Sequence, residues 1–154
     1  MENRSAHGLR RSRFIDLTDE EIGFLKGEIR AIEADESVFV FNQGGTTSYR
    51  DEFDVIFVKG NVFPSENSLH PRDMMSARAV LAHEYYGHRA NRGTNLAKNS
   101  WNDEFRASYM AAKNSPGLSQ QDRAYLIMDA IDRARSSGFP IRYNSFMRSV
   151  LYGY

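Results

Sequence analysis

The chain contains no cysteine. Disulfides and thiolate-held metals are therefore excluded, and any metal must be held by His, Asp or Glu. Missing cysteine does not fix a compartment. It suits the cytosol, and it suits equally a domain that unfolds to cross a membrane without redox trouble. Net charge is missing too, because 20 basic and 20 acidic residues cancel. That balance gives no basis for nucleic acid or an anionic membrane as the main partner. No apolar run approaches the ~18 residues of a membrane helix, so membrane insertion is not expected. Residues 1–13 carry Arg4, Arg10, Arg11 and Arg13, but no apolar stretch follows them, so they do not read as a signal peptide. There is no internal repeat and no low-complexity segment.

What remains is ordinary globular composition, 41% hydrophobic and 26% charged over 154 residues. A chain of that size buries about 70% of its unfolded surface. The organisation expected is a flexible basic tail over 1–13 and a single domain over 14–154. The tail also fits a cut end, where the domain was joined to a larger protein. The expected location is the cytoplasm, or delivery by a secretion system as part of such a larger protein.

Periodicity divides the domain into helices and a few strands. Thr18 and Glu21 form a capping box ahead of Ile22, Leu25, Ile29 and Ile32, which predicts a helix over 18–33. Residues 37–41 and 53–58 are β-prone, and Gly44-Gly45 between them suggests a hairpin or a small antiparallel sheet. A loop over 60–71 leads to a helix from Pro71 to about Gly87, rich in alanine. Another helix carries Glu104 and ends before Pro116-Gly117. A fourth opens at Ser119, with Asp122 in its first turn, and runs to Ser136. Residues 143–154 suggest a short last helix. The fold class expected is α+β: a small antiparallel sheet packed on three or four helices, zincin-like.

The functional information is concentrated in His83-Glu84-Tyr85-Tyr86-Gly87-His88 and in Glu104, sixteen residues later. Two imidazoles, a carboxylate beside the first and a second carboxylate downstream are the components of a zinc hydrolase site. The familiar short motif spaces its histidines by four, so that both face one ion. Here the spacing is five, which in a regular helix turns the side chains roughly 140° apart. A bulge or widened turn must absorb the extra residue, and Gly87 sits where backbone distortion costs least. On this reading His83, His88 and Glu104 are the ligands of a Zn2+ ion, with an open position for water. Glu84 points beside the metal and is the catalytic base. Glu104 shares a helix face with Ala107, Ser108 and Ala111, small residues that let this helix approach the histidines.

The sequence HEYYGH resembles the HExxGH signature of the dipeptidyl peptidase III family of zinc peptidases. The second signature of that family, Glu-Glu-Cys-Arg-Ala followed by an acid, is similar to Asp103-Glu104-Phe105-Arg106-Ala107-Ser108. Carried over by position, the resemblance implies His83, His88 and Glu104 as zinc ligands and Glu84 as general base. It covers about a dozen residues. Asp103, Phe105 and Ser108 depart from the pattern, and the two signatures lie much closer together than in that family, whose proteins are several times longer. The oligopeptide exopeptidase specificity of the family is therefore not carried over. By analogy, small zinc peptidase domains also occur as toxin modules of bacterial secreted effectors, which would pair with an inhibitor or immunity protein.

The function expected is zinc-dependent hydrolysis of a peptide bond in a peptide or protein substrate. Two alternatives stand beside it: a non-catalytic, metal-stabilised interaction module, and a hydrolase of a non-peptide amide such as a cell-wall link. Residues 53–58 are the candidate strand for pairing with an extended substrate, against an interior strand with no such role. An oxyanion donor is also needed, and Tyr85, Tyr86, Tyr109, Tyr143, Tyr152, Tyr154 and His70 are candidates. Arg106 and Asp103 are candidates for orienting Glu104 from behind.

Overall fold

In a computed structural model of the protein, residues 15–65, 69–94 and 96–154 are described. The tail expected over 1–13 lies outside them. Among the described residues the fold is α+β, with six helices and one three-stranded mixed sheet.

Helix α1 spans Asp19–Ala31, and the Thr18/Glu21 capping box is formed in full. Its Leu25 and Ile29, with Ile32 just beyond, are completely buried. The strands are β1 (Phe39–Phe41), β2 (Ser48–Arg50) and β3 (Val55–Val58), in the order β1-β3-β2. β2 and β3 are antiparallel, but β1 pairs parallel with β3. The expected antiparallel pairing of residues 37–41 with 53–58 is thus corrected. These two segments are parallel neighbours, and the antiparallel partner of β3 is a strand inside the stretch that reads as a turn. Nor does the central strand reach 53: Asp54 takes φ 51° in the turn before it, and Phe53 is exposed.

The single helix expected over 71–87 is three pieces. Helix α2 (Pro71–Met74) stops because Met75 is extended (ψ 142°), and Ser76 then caps α3 (Ala77–Ala82) by accepting from the Ala79 N–H. From His83 to His88 the chain continues as a π-helical segment. Helix α4 (Trp101–Asn114) starts at the Ser100 cap, and α5 (Gln120–Ser136) at a capping box of Ser119 with Asp122. Helix α6 (Ser145–Tyr152) ends at Gly153, whose φ of 81° closes it.

The core lies between α1, the sheet, α3 and α5. Ile56 and Val58 of β3, Leu81 of α3, and Leu126 and Ile127 of α5 are fully buried in it. Helix α4 packs along α5 on one side and against the π segment on the other. That sandwich positions the site.

Candidate metal centre

Hydrogen bonds spaced i→i+5 make a wider turn than the α-helix, so residues five apart return to one face. The whole HEYYGH stretch is wound this way. His83 and His88 consequently sit together, with ring centroids 4.8 Å apart. Gly87 lets α4 come close. A Cβ on Gly87 would lie 2.7 Å from the Ala107 Cα and would overlap the Ala107 carbonyl oxygen. Ala107, Ser108 and Ala111 are buried on the facing side of α4.

This approach delivers Glu104, one turn earlier on α4, to both imidazoles. A single oxygen, Glu104 Oε1, lies 3.0 Å from His83 Nε2 and 3.2 Å from His88 Nε2. Behind His83, Nδ1 is 2.8 Å from Ser108 Oγ, and that hydroxyl donates at 2.5 Å to the buried Asp129 on α5. A hydroxyl has one proton to give. With that proton on Asp129, Ser108 can only accept from His83, so Nδ1 carries hydrogen. The remaining nitrogen of a neutral ring, Nε2, then aims its lone pair at a carboxylate oxygen 3.0 Å away. Two lone pairs at that separation repel unless a positive charge lies between them, either a proton or a metal cation.

Electrostatics agree with that picture. Burial works against ionisation of Glu104, yet the hydrogen bonds and charge of His83 and His88 hold it well below the usual carboxylate range. Burial also works against charge on His88. The hydrogen bond to Glu104, with the charges of Glu84, Glu104 and Asp103, outweighs it and lifts the metal-free imidazole to about 9. Two overlapping trios, His83–Glu84–His88 and His88–Asp103–Glu104, each bring ligand atoms within 4.8 Å of one another. His83, His88 and Glu104 together could hold one ion, because both Nε2 atoms meet one Glu104 oxygen. Two imidazoles and a carboxylate, without thiolate, fit zinc.

Glu84 is buried, with a carboxylate oxygen within 4.8 Å of ligand atoms of His83 and His88. Its Oε1 accepts the Tyr49 main-chain N–H of β2 at 3.0 Å. Burial raises its pKa, opposed by the charges of His83 and His88. A buried carboxylate raised in pKa is suited to take up a proton.

A cleft of about 740 Å³ opens on these groups, with β2 along its wall and Arg133 of α5 beside Glu104. Arg133 Nε donates to both oxygens of Asp129 at 3.0 and 3.1 Å, and Nη1 lies 3.7 Å from Glu104 Oε1. Among the described residues Arg106 makes no hydrogen bond to Glu104; it bonds Thr94 Oγ1 at 2.8 Å and Asp103 at 3.4 Å. Asp103 also accepts the Asn99 N–H and lies 3.7 Å from His88 Nδ1, so it backs the second histidine rather than Glu104.

The candidate oxyanion donors lie elsewhere. Tyr109 is packed between Phe105 and Phe146, its hydroxyl bonded to Asn144. The Tyr143 hydroxyl accepts from Arg135, and its ring stacks on Tyr152, which stacks in turn on Tyr154. Tyr86 donates to the Ile32 carbonyl, and Tyr85 accepts the Asp35 N–H. His70 is largely exposed near Asp132. None of these seven residues lines the cleft among the described residues.

Sequence reasoning missed Ser108 as a partner of His83, together with Asp129 and Arg133. A signal existed for the last two. Asp129 falls three residues after Leu126 and beside Ala130, within the buried stripe of α5, and Arg133 follows four later. A charged pair at that spacing on a buried face has to serve something inside. No family model matches this chain, and neither a curated protein nor a solved structure does.

Proposed function

We propose that this protein is a zinc-dependent hydrolase of peptide bonds, with a zincin-like site built on α3, the π segment and α4. The observation that carries this reading is the convergence of His83 Nε2 and His88 Nε2 on Glu104 Oε1, with Glu84 held to one side. His83, His88 and Glu104 would hold the ion, which supplies Lewis acidity: it lowers the pKa of water and polarises a carbonyl. Glu84, oriented by the Tyr49 N–H, takes the proton of the attacking water and passes it to the leaving amine. Ser108 and Asp129 keep His83 in the tautomer that leaves Nε2 free.

An extended substrate is favoured by the cleft wall. β3 is flanked on both sides, so the strand within residues 53–58 is an interior one. The edge beside Glu84 belongs to β2, which takes over the pairing role considered for that segment.

Two measurements test the proposal. Metal analysis of purified protein should give one zinc per chain, lost when His83 or Glu104 is replaced by alanine. Wild type should cleave peptides in a mixed digest read by mass spectrometry, and Glu84→Gln should keep zinc and fold while cutting nothing. Full activity in Glu84→Gln, or iron in place of zinc, would overturn the proposal.

A further inference from the structure

The reaction needs a donor for the oxygen on which negative charge develops, and the hydroxyl groups nearest the site are already committed. Tyr49 lines the cleft, but its hydroxyl donates to Asp54 at 2.9 Å. Tyr85 and Tyr86 are bonded to the main chain around α1, and the Tyr109 and Tyr143 hydroxyls are bonded to Asn144 and Arg135. Arg133 is different. It sits in the cleft lining with only its Nε edge occupied, by Asp129. Among the described residues no hydrogen bond engages Nη1 or Nη2, and Glu104 Oε1 lies 3.7 Å from Nη1. Neither Nη atom is a sealed, unsatisfied group, because the one such side-chain atom among the described residues is Arg106 Nε. The N–H bonds on the two Nη atoms therefore open to the cleft, next to the ligand carboxylate.

We propose that the free Nη edge of Arg133 is an anion-receiving subsite and that Arg133 is a catalytic residue, donating to the oxyanion of the tetrahedral intermediate. This rests on the hydrolase reading above. A guanidinium suits the task because its donors form a planar fork that matches two oxygens on one atom. Asp129 makes it a rigid fork. The carboxylate grips Nε from the buried side of α5, so the Nη groups stay aimed without reorganisation as charge appears. The ligand class is an oxygen anion: a tetrahedral oxyanion, or a stable mimic such as a phosphonate.

The test measures binding, so it does not depend on turnover. Zinc-loaded wild type, Arg133→Lys and Arg133→Gln are titrated with phenylphosphonate and, separately, with imidazole, which is neutral and meets zinc without an oxygen anion. Glutamine keeps an amide N–H for Asp129 and leaves the Ser108–Asp129 contact in place; circular dichroism checks its fold. Loss of a charge-assisted hydrogen bond should weaken phenylphosphonate by ~10–100-fold in Arg133→Gln, with a smaller loss in Arg133→Lys. Imidazole affinity and zinc content should stay unchanged in both. Equal phenylphosphonate affinity in all three proteins overturns the assignment. Weakened imidazole or lost zinc overturns it too, since Arg133 would then act by positioning Glu104. Wild type that binds no zinc defeats the hydrolase reading itself, and is told apart from failure of this subsite by the metal content alone.

Discussion

Replacing Gly87 by alanine tests the geometry that assembles the site. A Cβ there falls 2.7 Å from both the Cα and the carbonyl carbon of Ala107, and closer still to the carbonyl oxygen. Ordinary carbon–carbon contact is about 3.5–4.0 Å, so the shortfall is about 1 Å. Both partners are backbone, one in the π segment and one in the middle of α4, and neither can rotate aside. Forced overpacking of this kind costs about 1–3 kcal/mol, and rigid partners put it in the upper half. The gain in helix propensity returns about 1 kcal/mol. A net loss of about 1–2 kcal/mol lowers Tm by roughly 2–8 °C in a chain of this length. Gly23, exposed in α1 with nothing near its missing Cβ, supplies the control. Gly23→Ala should gain about 1 kcal/mol and raise Tm by roughly 2–4 °C. Thermal unfolding of both zinc-free variants gives the two signs. A zinc titration gives the second consequence, since moving α4 by ~1 Å displaces Glu104 beyond the ~0.2 Å tolerance of a metal site. Gly87→Ala with unchanged Tm and unchanged zinc affinity would refute the close approach of α4 and the π segment.

Three further outcomes follow from the same geometry. Ser108→Ala removes the group that fixes the His83 tautomer, and should weaken zinc by ~10–100-fold in a competitive chelator titration, with Tm of the zinc-free protein changing less than its metal affinity. Without metal, His88 is raised to about 9 from 6.5. Its contribution is therefore full below 6.5 and lost as pH rises through 9, while that of the depressed Glu104 is present above 4.5 and lost as pH falls. Zinc-free protein should lose up to ~3 kcal/mol between pH 6.5 and 9 by urea unfolding, and a flat profile would contradict the shared Glu104 oxygen. Protons compete with zinc for the same nitrogens, so zinc affinity should show the opposite slope, rising with pH. Chelation by EDTA should lower Tm, because zinc at 100 times its Kd adds about 2.7 kcal/mol to the native state.

The parts of this structure that were legible in sequence are those specified by neighbours. The Thr18 and Ser119 caps require only residues three apart, and both form as written. The five-residue histidine spacing is incompatible with a regular helix converging on one point, so a widened turn was implied before it was seen. Small residues on the Glu104 face announced a close helix contact, and Ala107 makes it. Illegible were features settled across the fold. Ser48–Arg50 has no hydrophobic alternation, and becomes a strand only because β3 offers it a partner. Nothing local distinguishes parallel from antiparallel pairing of β1 with β3. The break before α3 depends on Met75 turning its side chain into the core, which a helical pattern of alanines conceals. Asp129 and Arg133 lie at the buried stripe of α5, but what they serve was not legible because their partners, Ser108 and Glu104, come from another helix.

Among the described residues, the hydrogen bond that holds Glu84 comes from the Tyr49 main-chain amide and not from a side chain. Nineteen of the twenty amino acids at position 49 supply that same donor, and proline alone withdraws it. Side-chain replacement at this place can reshape the cleft wall without loosening the proton acceptor, so the strand that would select a substrate is free to vary while the chemistry beside it stays fixed.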